Sequence, residues 1–331
     1  MLSVALVIVI ILAIGFDIVN GFHDTANSIA TSVSTRVLSP RMAIAMAAFL
    51  NLVGALVSSK VAKTISGGLV AGSIPQYVII ATLLSAILWD LITWYYGIPS
   101  SSSHALIGSL VGASLTYAAT LDKILWKGVL DKVVIPLLTS PIIGLLLGFA
   151  IMKILFVLLA PFSQRFVNKW FSKLQILSAM LMSYEHGKND AQKSMGIITL
   201  ALISANILPA GSEVPWEVKI ACAVAMAFGT SIGGWKIIKT MGVNMIRLQP
   251  INGFAAETSA ALVIEVASAI GAPVSTTHVI SSSIMGVGAA KRASAVRWAL
   301  AMNIVWAWVL TIPVTALIGA IIVFIFKLFI H

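Results

Sequence analysis

A proline followed by a run of hydroxyls and a histidine occurs twice in this chain. Pro99-Ser-Ser-Ser-Ser-His104 leads into an apolar run, and Pro273-Val-Ser-Thr-Thr-His278 leads into another. Gly97, Pro99, Ser101, His104 and Gly112 meet Gly271, Pro273, Ser275, His278 and Gly286 at one offset of 174 residues. Two further pairs keep the same order. Gly21 and Asp24 are echoed by Gly187 and Asp190 at an offset of 166, and Lys60, Lys63 and Thr64 by Lys236, Lys239 and Thr240 at an offset of 176. Offsets that differ only by short insertions mark a tandem duplication. We read a first repeat over 1–160, a central basic loop over 161–175 and a second repeat over 176–331.

The scarcity of charge decides what such repeats fold into. Of 331 residues, 59% are hydrophobic and 10% charged, where a soluble domain carries about 25% charged residues. The runs 2–16, 42–57, 77–89, 133–160, 295–310 and 314–326 are long and nearly uncharged. A spanning helix needs about 20 mostly apolar residues, and lipid admits only helices or closed barrels. The alternation of barrel strands is absent. The expectation is an all-α, polytopic membrane protein of roughly ten to twelve membrane helices, some broken or re-entrant. Three breaks stand out: the basic stretch at 34–41, Lys60 to Thr64, and Gly67-Gly68.

The net charge of +10 does not call for a nucleic-acid partner. The basic residues sit in short connections: Arg36 and Arg41; Lys123, Lys127 and Lys132; Arg165, Lys169 and Lys173; Lys291, Arg292 and Arg297. This is the pattern of cytoplasmic loops. The central loop is therefore expected to be cytoplasmic, and the 209–217 loop, which lacks Lys and Arg, external. A single cysteine, Cys222, excludes an internal disulfide. No glycine-rich nucleotide loop is present, and no organic cofactor is expected.

The hydroxyl motifs carry the first piece of chemistry. Pro99 and Pro273 interrupt a helix and release backbone groups. Ser and Thr cap helix starts, and the free first-turn amides point along a positive helix end. Ser101, Ser102 and Ser103 with Ser275, Thr276 and Thr277 are thus candidate oxyanion ligands. Helix–helix packing is the plainer use of one such motif, but two proline-led copies favour an anion site. The second piece is acidic. Asp24 with Asn27, and Asp190 with Asn189, read as the polar ends of apolar segments. Ionisable groups in a membrane cost roughly 3 kcal/mol on insertion scales and face cavities, and carboxylate with carboxamide oxygens suits a hard cation. Capping at the membrane surface is the plainer reading. His23, Thr25 and Lys193 are accessory candidates. Lys60, Lys63, Lys236 and Lys239 read as snorkelling interfacial residues. Glu257 and Glu265 either pair internally or line a pathway.

Together, Asn20-Gly-Phe-His-Asp-Thr-Ala-Asn27, His186-Gly-Lys-Asn-Asp-Ala-Gln-Lys193 and the two hydroxyl motifs resemble the PiT family of inorganic phosphate transporters. The resemblance covers both halves. It implies inverted repeats, symport of phosphate with a cation, Na⁺ or H⁺, and a homodimer in the plasma (inner) membrane. It also implies that the Asp/Asn signatures bind cation and the hydroxyl helix starts bind phosphate. A sulfate symporter of the same fold and an uncoupled anion channel are the alternatives. An enzyme is not expected, because no nucleophile–base pair is visible beyond Ser near His104 and His278.

Overall fold

The computed structural model describes residues 3–67, 69–70, 74–120 and 124–329. Gly68 and Lys123, named above, lie outside the described residues. All regular structure among them is helical, apart from one isolated bridge between Val70 and Ile124. The first half comprises α1 (Val4–Ser34), α2 (Pro40–Val57), α3 (Lys60–Gly67), α4 (Gln76–Tyr96), α5 (Ser102–Ala118) and α6 (Trp126–Leu159). The second comprises α7 (Gln164–Ser204), α8 (Trp216–Ile232), α9 (Trp235–Asn244), α10 (Pro250–Ala269), α11 (Thr276–Lys291) and α12 (Trp298–Phe329). Helices α1, α2, α4, α6 and α12 are long and apolar enough to cross a membrane, and α8 and α9, bent by 63°, form a sixth candidate span. The chain is a multi-pass membrane protein.

The halves interlock. Helix α1 packs on α8 while α2 packs on α7; α5 packs on α12 while α11 packs on α6. At the first crossings the backbones nearly touch. A Cβ on Gly21 would come within 2.6 Å of the Met226 carbonyl, and one on Gly187 within 2.2 Å of the Asn51 carbonyl. Small residues at such crossings let helices approach where no hydrophobic effect drives them together.

Two faces follow from the contacts. Ser3, at the start of α1, shares a cleft with Gln76, Tyr117 and Ser204. At the end of α1, Thr35 donates to Gln175 (2.8 Å), and Gly242 lies against the Ala30 carbonyl. Helices α4 and α5 form a hairpin whose two outer ends meet at the first face, where Tyr77 and Tyr117 stack edge-on at 6.0 Å. Helices α10 and α11 form another, whose outer ends meet at the second face around Asn252 and Lys291.

Each hairpin turns at a glycine in the left-handed region, Gly97 (φ 67°) and Gly271 (φ 73°), where a side chain is disfavoured. The carbonyls at these turns take donors from the other half. Thr240 Oγ1 donates to Gly97 O (2.9 Å) and Lys236 Nζ to Tyr95 O (2.7 Å). Thr64 Oγ1 donates to Gly271 O (2.7 Å) and Lys60 Nζ to Ala269 O (3.0 Å). Lys60 and Lys236, both exposed, satisfy carbonyls that helix ends leave unpaired.

Four other expectations are corrected. The stretch 161–175 is helical from Gln164 onward, because Ser163 caps the start by accepting from Phe166 N (3.3 Å) and no breaker follows; Arg165, Lys169 and Lys173 are exposed. The Asp24 and Asp190 patches lie inside α1 and α7 rather than at span ends. They are buried against the other half and do not cap helices at a surface. From Trp298 onward the runs 295–310 and 314–326 belong to one helix that passes through Pro313; membrane helices tolerate such prolines where neighbouring groups re-satisfy the backbone. Lys127 and Lys132 lie near the start of α6, at the opposite end of that helix from the second face where Arg36 and Arg165 lie; Lys132 Nζ reaches the turn of the α10–α11 hairpin and donates to Ile270 O (3.3 Å).

Candidate functional site

The tips of the two hairpins meet head to head. Ser101 and Ser275 are the N-cap residues of α5 and α11, and each accepts from an amide three residues on, His104 N and His278 N, both at 3.2 Å. The duplicated sequence thus folds twice into one capped helix start, as proline followed by hydroxyls dictates. The His104 and His278 rings lie 4.5 Å apart, and His278 stacks on Trp308 at 4.0 Å. Trp308 Nε1 donates to Pro99 O (3.1 Å), and Ser103 Oγ to Val274 O (2.8 Å), tying one tip to the other.

Helices α1 and α7 bring the acidic patches to these tips. Ser102 Oγ and Thr277 Oγ1 donate to the two oxygens of Asp24 at 3.3 and 3.4 Å. Thr276 Oγ1 donates to Asp190 Oδ2 at 3.2 Å, and Asn27 Nδ2 donates to Thr276 and Thr277 at 3.1 and 2.9 Å. Lys193, only 1% exposed, pairs with Asp190 at 2.9 Å. His23 bridges Asp24 (2.6 Å) to Thr93 (3.0 Å) through its two ring nitrogens. Asp24, Asn27, Asp190, Lys193, Ser102, Thr276 and Thr277 therefore form one buried cluster built from four helices and both halves.

Five expected residues stand outside it. Asn189 Nδ2 turns to Ser268 on α10 (2.9 Å), and Thr25 Oγ1 donates to Gly21 O (2.5 Å) and Thr230 O (3.3 Å), on the α8 side. Ser101 and Ser275 are engaged in their caps, and Ser103 Oγ is taken by Val274 O. His186, missed in the sequence, stands inside: ligand atoms of Asp24, His186 and Asp190 all lie within 4.8 Å of one another. Its spacing of four from Asp190 was the available signal, since residues so spaced share a helix face. Asn51 was missed too; it contacts His186 Nδ1 (3.1 Å) and donates to Thr230 (2.9 Å). Glu257 is fully buried and takes hydrogen bonds from Thr31, Ser178 and Gln175, while Glu265 pairs with Lys188.

The donor set fits an anion beside a cation. Hydroxyls and first-turn amides of two helix starts can surround an oxyanion. Asn27 Oδ1 and Asp190 Oδ1 are buried without a hydrogen-bond partner among the described residues, and such oxygens suit a hard cation.

Comparison with known proteins supplies the class. Residues 20–319 match the phosphate transporter family. The chain belongs to the phosphate transporter family. Family relatives include a probable low-affinity inorganic phosphate transporter of Bacillus subtilis (strain 168), 49% identical over 99% of this chain and 98% of the relative. One of the same description from Rhizobium meliloti (strain 1021) is 49% identical over 95% of this chain and 94% of the relative. A solved structure entitled the sodium-dependent phosphate transporter superposes with a TM-score of 0.89 at 25% identity, over 98% of this chain and 100% of the other. These relatives are transporters, not enzymes, and the chain carries the family's fold through both halves.

Proposed function

We propose that this chain is a symporter that moves inorganic phosphate together with Na⁺ by alternating access. The observation that carries the reading is the sharing of ligands at the tips. Ser102 and Thr277 donate to Asp24, and Thr276 donates to Asp190. A cation held by Asp24, Asp190 and Asn27 takes over the carboxylate oxygens and releases these hydroxyls to phosphate. Without the cation, two carboxylates face a divalent anion and repel it. Coupling then follows from one set of groups serving two ligands. Ser101 to Ser103 and Ser275 to Thr277 are the phosphate ligands in this reading, with Lys193 as a fixed counter-charge. Asn189 offers its buried Oδ1 to a second cation once its bond to Ser268 breaks.

The two halves are proposed as inverted repeats. Helix α1 runs from the first face to the second while α7 runs back, and the hairpins enter from opposite faces, the arrangement of many secondary transporters. Alternating access is then the rocking of these halves about the tips. The second face, where Arg36, Arg41, Arg165, Lys169 and Lys173 lie, is assigned to the cytoplasm, and the protein to a homodimer in the plasma (inner) membrane. The test is ³²P-phosphate uptake into proteoliposomes under separately imposed Na⁺ and H⁺ gradients. Uphill uptake with the Na⁺ gradient is expected. Uptake driven only by H⁺ would replace the ion, and uptake driven by neither would refute symport.

A further inference from the structure

A second basic site lies away from the hairpin tips, at the second face. The end of α11, the short 3₁₀ turn Ala293–Ala295, the end of α9 and the start of α10 enclose a cavity of about 420 Å³. Four cationic side chains line it: Arg247, Lys291, Arg292 and Arg297. The hydroxyl-bearing Ser294 and the buried Asn252 complete its polar wall. The packing that shapes it is specific. Arg297 N donates to Met245 O (3.1 Å), which ties the loop before α12 to the end of α9. Gly288 lets Ile246 and Val296 approach within 2.8 Å of where a Cβ would stand.

These four cations have no ion-pair or hydrogen-bond partner for their side chains among the described residues. Elsewhere the chain pairs cations when an acid is near: the exposed Lys63 meets Glu213, and the half-buried Lys188 meets Glu265. No acid is available here. The segments that meet at this face, 30–44, 155–175, 240–252 and 286–300, contain no Asp or Glu. A cytoplasmic excess of basic residues explains their number, but not their convergence on one walled cavity with a hydroxyl and a carboxamide. Lys291 in the last turn of α11 and Arg292 at its C-cap stand where a cation complements the helix dipole; Arg247 and Arg297 have no such duty. Exposed Val243 on one rim, and Trp298 one residue past Arg297, provide apolar surface beside the charges.

The geometry points to an anion site at this cavity that takes a phosphate group, either that of an anionic phospholipid headgroup or free inorganic phosphate. Guanidinium forks match phosphate oxygens in pairs, and basic pockets between membrane helices bind anionic headgroups. The site is separate from the hairpin tips and does not depend on the coupling ion.

The experiment compares the intact protein with R247Q/R297Q, with K291Q/R292Q as a second variant and K127Q, an exposed cation at the start of α6, as a control. Retention of dioleoylphosphatidylglycerol against dioleoylphosphatidylcholine is read by native mass spectrometry, and inorganic phosphate binding by calorimetry in the S102A/T276A background. Phosphatidylglycerol retention or phosphate binding is expected to fall about fivefold per cation removed in both cavity variants and to stay unchanged in the control. A fall in the lipid arm alone assigns the headgroup, and a fall in the phosphate arm alone assigns the free ion. Equal changes in cavity and control variants, or no change in either arm, would overturn the site. Because all readouts are of binding, failure of symport leaves this result intact.

Discussion

Replacing Asp24 by Asn separates the cation's requirement from the fold's. The side chain keeps its shape and loses its charge. In the protein Asp24 has three neighbours: His23 at 2.6 Å, Ser102 at 3.3 Å and Thr277 at 3.4 Å. The two hydroxyl contacts are long; the amide keeps one acceptor, and its NH2 can donate to the other hydroxyl, so little stability is lost there. The short contact to His23 is the strong one, and hydrogen bonds to charged groups are worth about 1.5–3 kcal/mol. The fold should therefore lose no more than about 3 kcal/mol. The cation loses a charged ligand altogether; a loss of about 3 kcal/mol there weakens its binding by roughly 150-fold. Thermal unfolding in detergent and Na⁺-dependent ³²P uptake in proteoliposomes read the two terms. A folded protein without uptake at ordinary Na⁺ is expected. Full uptake with an unchanged Na⁺ dependence would refute the assignment of Asp24.

Three further outcomes follow from the same geometry. Ser102→Ala and Thr276→Ala each remove one neutral donor worth about 1 kcal/mol, so phosphate affinity measured by calorimetry should fall about fivefold in each; an unchanged affinity in both would remove the helix starts from the site. Lys193→Met strands the Asp190 carboxylate in a buried setting, and breaking a buried pair costs about 3–5 kcal/mol, so the variant should unfold at distinctly lower temperature while Lys193→Arg partly restores it. Gly187→Ala forces a Cβ against the Asn51 carbonyl, 2.2 Å away by geometry; overpacking of this kind costs about 1–3 kcal/mol, and unfolding measurements should show it.

The hydroxyl helix starts were the most legible part of the molecule, because proline and an N-cap serine act within a single turn. Ser101 and Ser275 take up the same cap in both halves for that reason. The acidic patches were legible as chemistry but misplaced in structure. Hydropathy falls where Asp24 and Asp190 stand, which looks like the end of a span, yet both helices run on because the other half covers these side chains. The stretch from Arg165 to Lys173 misled in the same way: charge density suggested a loop, while the absence of any breaker after Ser163 allowed an amphipathic helix. Lys60, Thr64, Lys236 and Thr240 were legible as a repeated motif, but their partners were not. Their partners are carbonyls near Gly271 and Gly97 in the opposite half, a relation that only the interlocked fold creates. The approach of His186 to Asp24 is of the same kind.

The central claim is that one cluster serves both ligands, with carboxylates and phosphate competing for the same hydroxyls. The most direct measurement is phosphate affinity of the purified protein as a function of Na⁺, with Na⁺ affinity measured as a function of phosphate. Linkage requires the two effects to be equal. The expected result is that saturating Na⁺ tightens phosphate binding by about tenfold or more, a coupling of at least about 1.4 kcal/mol, and that phosphate tightens Na⁺ by the same factor. Phosphate binding that is independent of Na⁺, with Asp24 and Asp190 intact, would contradict it.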